Sequence, residues 1–521
     1  GLGRLIFVIL IMILAAPIPS KAQSSSWSQI RPLVARAHLV VRVHRLYPFV
    51  QQSRRTLRRM GFASYFQQWD AQLRRKLGTS LLNSAASWRS MGLDPHGSLY
   101  YGRQGEGQWL VLSLRKGKVE NLPWQRLAHL LSIFSGSSQT SPAQVSFQGQ
   151  KVAGLYSKNG AVALAHQGLL WAFSSKALLR RSLEQKTPDK GSSAGAQWSA
   201  LSSQDKPMLQ FAAKALAGVV DSSPKVGSNW QVQPRALRSL QGSMEFDGGL
   251  QVRGKLHWNR QHFMGRRYSR ILAMPGRNKA GPGCFLSLPG RLLFDFHWYL
   301  SQLEGSTRRL LVYSAAPVMA FWWQRGIWPS KSDNRVLHVL HTLSPYMQGG
   351  VRVQVRAYKR KLIYSLGTGV MGGDSQKWWK KFLAQLRNPP GDMSATVKAL
   401  DSQRPNLVQL SLPRRGERQA LRLNLYYDTK GERLWLWSPR LAKRLSLWSR
   451  VAQWRKCRQK ERWHYRWAFY PKNLRYWARN TNDLFMLKQL LQGIGSITGS
   501  FDRIGESKAQ WRFDLYVKPA R

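Results

Sequence analysis

Carboxylates are scarce in this sequence: 24 Asp and Glu stand against 81 Lys and Arg among 521 residues, a formal net charge of +57. A chain of this length and ordinary composition would carry roughly 65 of each sign. The imbalance therefore owes more to missing acids than to added bases. Two origins fit it: a surface made to attract polyanions, or a protein working in an acidic exterior where carboxylates lose their charge anyway.

Cysteine is nearly absent as well, with Cys284 and Cys457 alone. A bridge between them would close a long loop and stabilise the fold by about 4 to 5 kcal/mol in the chain-entropy model. Two free buried thiols fit the sequence equally. Long apolar runs are limited to one, from Leu5 to Pro19, preceded by Arg4 and followed by Ser20-Lys21-Ala22. That run is shorter than the roughly 20 residues of a membrane-spanning helix, and small residues follow where a signal peptidase reads. Residues 1–22 are thus expected to be a signal peptide. The expected localisation is exported, whether periplasmic, envelope or secreted, with no transmembrane span once the signal is removed. A hydrophobic content of 43% excludes disorder throughout and provides for more than one core.

Signatures of nucleophilic and nucleotide chemistry are also missing, with no Gly-x-Ser-x-Gly, no Walker loop and no Cys beside a recognisable His partner. His338 and His341 lie three apart, but no carboxylate follows before Asp374, so they read as ordinary histidines rather than zinc ligands. The run Gly493–Gly499 reads as backbone freedom ahead of the last strands, not as a phosphate loop. Glu245 and Asp247 lie two apart, and Asp247 before Gly248-Gly249 is best explained as a turn residue. No catalytic residue, metal or cofactor is expected, and the reading leans to a non-enzymatic protein. A hydrolase assembled from residues far apart in sequence ranks last.

What the chain does have is internal repetition. Six local patterns recur in order at offsets of 252 to 264 residues. The strand at Leu39–His44 resembles the one at Leu292–His297, each ending in His. Arg55 in a helical segment matches Arg308, and the strand from Leu110 matches that from Leu362. An apolar stripe of Trp124, Leu127, Leu130 and Leu131 answers Trp378, Phe382, Leu383 and Leu386. Leu170-Trp171 leads into a helix expected to be capped by Ser174, as Leu434-Trp435 leads into one capped by Ser438. Gly242-Ser243 and Gly499-Ser500 open closing hairpins. The expected organisation is a signal peptide (1–22), repeat unit 1 (23–274), a turn-rich basic linker (275–283) and repeat unit 2 (284–521), with an exposed loop at 186–196. The expected fold class is α+β: two tandem copies of a unit with an antiparallel sheet and helices packed on one face.

The strand near the mature N-terminus, the segment Gly92-Leu93-Asp94-Pro95 and the Ser-capped helix after the hairpin at Leu170–Leu183 together resemble a family of exported bacterial proteins of unknown function. The resemblance covers most of the first copy and, more faintly, the second. It implies the same fold and brings no activity or catalytic residue with it.

Basic residues cluster in three places. Arg54, Arg55, Arg58 and Arg59 stack along one side of a helical segment, and Arg74, Arg75 and Lys76 follow shortly after. Like charges at this spacing destabilise a helix by a few tenths of a kcal/mol, so the cluster is either tolerated or used to hold an anion. In the third, Arg455–Phe469, a strand from Arg462 would put Trp463, Tyr465, Trp467 and Phe469 on one face and Arg462, His464 and Arg466 on the other. The aromatic face is expected in the core, with the basic face free to bind. Partners expected from the charge are anionic lipid headgroups, lipopolysaccharide or cell-wall polymer through peripheral contact, with nucleic acid second.

Overall fold

The structure is a computed structural model that describes residues 30–115, 122–128, 139–184, 208–214, 237–269, 290–300, 347–370, 375–387, 396–412, 421–428, 433–437, 465–476 and 493–517, apart from a few positions inside these ranges. The signal peptide, the loop at 186–196, the linker, His338, His341, Cys284, Cys457 and Arg462 lie outside the described residues. So do Arg308 and Ser438. The chain divides into two compact units, Gly1–His262 with Gln489–Gly495 and Gln510–Arg521, and Phe263–Lys488 with Ser496–Ala509.

In the first, β1 (Leu39–Val43) is followed by helices α1 (Leu46–Arg59), α2 (Ala63–Leu77) and α3 (Ala85–Ser90). Then come β2 (Leu99–Gln104), β3 (Gly107–Ser113), β4 (Thr140–Phe147), β5 (Gln150–Ser157), β6 (Val162–His166), β7 (Leu169–Phe173), α4 (Lys176–Glu184), β8 (Met208–Lys214), β9 (Leu237–Glu245) and β10 (Gly249–Trp258). Every pairing is antiparallel, in the order β4-β5-β6-β7-β3-β2-β1-β8-β9-β10. β1 is central, with Arg42 facing Tyr100 on one neighbour and Gln210 on the other.

Helices cover both faces of this sheet, which corrects the expectation of one. Leu39, Val41 and Val43 point to a core shared with Leu46, Phe49 and Val50 of α1 and Trp88 of α3. Val40, Tyr100, Trp109 and Val111 point the other way, to Ile30, Leu33 and Val34 and to Leu178 and Leu179 of α4. The cause lies in the strands: β6 and β7 bury all five of their residues, as strands covered on both sides must.

The later strands are β11 (Arg291–Leu300), β12 (Met347–Tyr358), β13 (Lys361–Val370), then helix α5 (Ser375–Arg387), then β14 (Thr396–Ala399), β15 (Leu407–Leu412), β16 (Leu421–Asp428), β17 (Arg433–Trp437), β18 (Tyr465–Phe469), β19 (Ile494–Gly505) and β20 (Lys508–Val517). Their pairings run β14-β15-β16-β17-β13-β12-β11-β18-β19, again all antiparallel. Trp378, Trp379, Phe382 and Leu383 of α5 pack on Val408, Leu410, Leu425, Tyr427 and Leu434. The fold is mostly antiparallel sheet with few helices.

Two local expectations shift. Ser175, not Ser174, caps α4: its hydroxyl accepts the N–H of Leu178, while the Ser174 hydroxyl accepts that of Gln108. Gly242 and Gly499 lie inside β9 and β19, the first strands of the expected closing hairpins β9–β10 and β19–β20, whose turns follow Glu245 and Gly505. Each is overlaid by the ring of its cross-strand partner, Phe211 and Trp467, where a Cβ would collide. The glycine-rich run before Ser500 is therefore strand, with glycines making room for aromatic rings, and not a flexible lead-in.

Candidate anion-binding surface

Helix α1 is amphipathic by sequence. Leu46, Phe49, Val50, Ser53 and Thr56 form its buried stripe, so the basic residues must fall on the remaining face. Arg55, Arg58 and Arg59 are exposed and Arg54 is half-buried. The helix contains no acid, and Arg58 and Arg59 stand in its last turn, where the helix dipole favours cations. On α2, Arg74 and Arg75 are exposed. Arg74 is held by Asp70 one turn earlier at 2.9 Å, and Asp70 also accepts from the Ser80 hydroxyl. Lys76 belongs to the same helix. The first two sequence clusters thus sit on consecutive helices of one unit, and one of their cations is matched locally by a carboxylate.

Arg466 is exposed on β18, in register with His297 of β11 and Ser500 of β19. The aromatic side of β18 is neither a sealed core nor an open platform: Trp467 and Phe469 are half-buried, the former against Gly499. On the basic side, Arg466 is exposed but Ala468 is buried, so the expected clean division between faces is absent.

One basic face escaped the sequence reading. Lys377, Lys380, Lys381 and Arg387 of α5 are exposed opposite its buried aromatic stripe, and this helix too has no acid. The signal was in the same residues that gave the stripe, read for their apolar members only.

Other charged groups are used internally. Arg352 grips Asp295 through two bonds of 2.9 and 2.7 Å. Arg42 is buried with its guanidinium over the Tyr100 ring, 5.2 Å from the centroid. His44 is buried beside it and hydrogen-bonded to Gln210 through Nε2 at 2.8 Å. Burial, reinforced by the positive charge of Arg42, pushes the His44 pKa down to about 3 against the opposing pull of Gln210. At neutral pH this imidazole is uncharged and occupied, which suits structure better than proton transfer. Asp247 is exposed in the turn before Gly248, whose φ is 63°, and Glu245 ends β9. Among the described residues no group of three or more His, Cys, Asp or Glu could hold a metal, and no helix is long and apolar enough to cross a membrane.

No family model matches the chain, and no curated protein matches it. Among solved structures it is similar to crystal form IV of the bacterial protein TP0453, at 11% identity and a TM-score of 0.25, over 48% of this chain and 89% of that one. Crystal form III of the same protein gives 9% identity and a TM-score of 0.25, over 47% and 86%. Similarity this low carries no argument about topology or role, and the resemblance to exported bacterial proteins stays on the motifs that suggested it.

Proposed function

We propose that this chain is an exported, non-enzymatic protein that binds anionic envelope surfaces presenting phosphate, such as acidic lipid headgroups or lipopolysaccharide. The observation that carries the reading is the outward face of α1, where Arg55, Arg58 and Arg59 are exposed on a helix without a single acid. Repulsion among cations one turn apart disfavours such a helix, and an anion lying across them removes the cost. Export is supported by the apolar run and small residues at 1–22. Half-burial of Trp467 and Phe469 speaks against a stacking platform for bases.

The chain is also proposed to be a tandem duplication, with the boundary at the basic linker. Its support is that Leu39 and Leu292, Leu110 and Leu362, Leu170 and Leu434, and Gly242 and Gly499 occupy strands of the same rank in two antiparallel orders. The test of function is co-sedimentation of the protein with acidic and neutral vesicles across a salt series, duplex DNA serving as competitor. Binding to acidic vesicles is expected at low salt, falling steeply as salt rises and weakened when Arg54, Arg55, Arg58 and Arg59 are replaced together by Gln. No binding at low salt, or a strong preference for one DNA sequence, would overturn the reading.

A further inference from the structure

The outward face of α5 repeats the chemistry of α1 in the other unit. Lys377, Lys380 and Lys381 have the i, i+3, i+4 spacing of Arg55, Arg58 and Arg59, and with Arg387 they fall within an arc of about 120° at 3.6 residues per turn. All four are exposed.

The opposite side of α5 is fixed in place. Phe382 is fully buried, Trp378 stacks on it at 5.2 Å, and Tyr427 of β16 lies 4.8 Å from Trp378 and 5.5 Å from Trp379. A helix anchored by three aromatic rings cannot roll its cations out of the way. The helix dipole accounts for Arg387 in the last turn, but it does not reach Lys380 and Lys381 in the middle of the helix. Nor is the likeness a copy of one ancestral element: α1 follows β1, the central strand, whereas α5 follows β13, the counterpart of β3 in strand order.

We infer that α5 is a second phosphate-binding face, so that an acidic lipid bilayer is engaged by each unit through its own helix. The inference rests on the surface-binding reading above. Each face is a contact of its own unit, so each can be removed without touching the other.

The test compares four full-length proteins: wild type, Arg55→Gln/Arg58→Gln/Arg59→Gln, Lys377→Gln/Lys380→Gln/Lys381→Gln/Arg387→Gln, and the two sets combined. Each is sedimented with vesicles of phosphatidylglycerol and phosphatidylcholine at low salt, with phosphatidylcholine alone as blank. A basic residue at an acidic bilayer contributes about fivefold in partitioning. Each set should therefore lower binding by at least tenfold and flatten the salt dependence, and the combined protein should bind more weakly than either set alone. A fifth protein, Lys377→Arg/Lys380→Arg/Lys381→Arg, should bind like wild type, and the thermal unfolding midpoint reports whether a substituted protein keeps its fold. If the α5 Gln set, with that midpoint unchanged, binds like wild type while the α1 set does not, the second face is refuted and the first stands. Absence of wild-type binding refutes both.

Discussion

At the scale of single residues, His44 connects the buried polar cluster to solution conditions. Its folded pKa of about 3 lies below the ordinary value of 6.5, so between those values the unfolded chain binds a proton that the folded one refuses. Stability from this group is fully present above pH 6.5 and drains away as pH falls toward 3, an effect on the order of 3 to 5 kcal/mol. Burial lowers the pKa of His166 too, with the same sign. Urea unfolding should therefore show a lower midpoint at pH 4 than at pH 7, and His44→Gln, which keeps a donor for Gln210, should narrow the gap. An equal gap in the variant would remove His44 from the account. A protein shaped mainly for an acidic exterior has little use for such a histidine, so the outcome also weighs on why carboxylates are scarce. The matched position of His44 and His297 was legible in the sequence. Their burial, and the Gln210 that holds His44, were not, because Gln210 is 166 residues away and becomes a neighbour only through strand pairing.

Elements were legible where one periodicity acted alone. The arginines of α1 and the apolar stripe of α5 stand out at helical spacing, and β1, β3, β7 and β17 stand out as apolar runs. The placement of helices on both sheet faces was hidden, since an unbroken run such as Leu169–Phe173 says that a strand is buried without saying by what. The α4 cap moved by one residue because adjacent serines compete, and only geometry assigns the Leu178 N–H to Ser175. Ser175→Ala should accordingly cost about 1 kcal/mol of stability. The aromatic anchor of α5 makes a larger demand: Phe382 is fully buried, and Phe382→Ala should destabilise its unit by about 3 to 5 kcal/mol. Both are measured by thermal unfolding, and a Phe382→Ala midpoint within a degree of wild type would mean that α5 is not anchored as described. The basic face of α1 was legible in the spacing of its arginines, whereas that of α5 was missed because only the apolar members of its stripe were read, although fixing which side of a helix is buried fixes which side meets solvent.

For the whole molecule, the net charge of +57 has a thermodynamic consequence independent of any partner. Cations held together in folded units repel one another more than in an expanded chain, so the folded state is destabilised by its own charge at low ionic strength. Salt at 0.1 M shortens the screening length to about 10 Å and relieves that repulsion, while a bound polyanion relieves it locally and stabilises the folded form by as much as it binds that form more tightly than the unfolded chain. Two observations follow. The unfolding temperature should rise by several degrees between about 10 and 300 mM sodium chloride, the reverse of what a fold held together by surface ion pairs would show. At 10 mM salt, acidic vesicles should raise it as well, whereas neutral vesicles should not. Calorimetry on the full chain measures both. The two effects must also trade against each other: salt that stabilises the free protein releases it from the vesicles, so the vesicle-induced rise should shrink toward zero across the range in which salt alone raises the baseline. A vesicle effect that persisted undiminished at 300 mM would mean that contact with the bilayer is apolar, and the electrostatic account of this surface would fail.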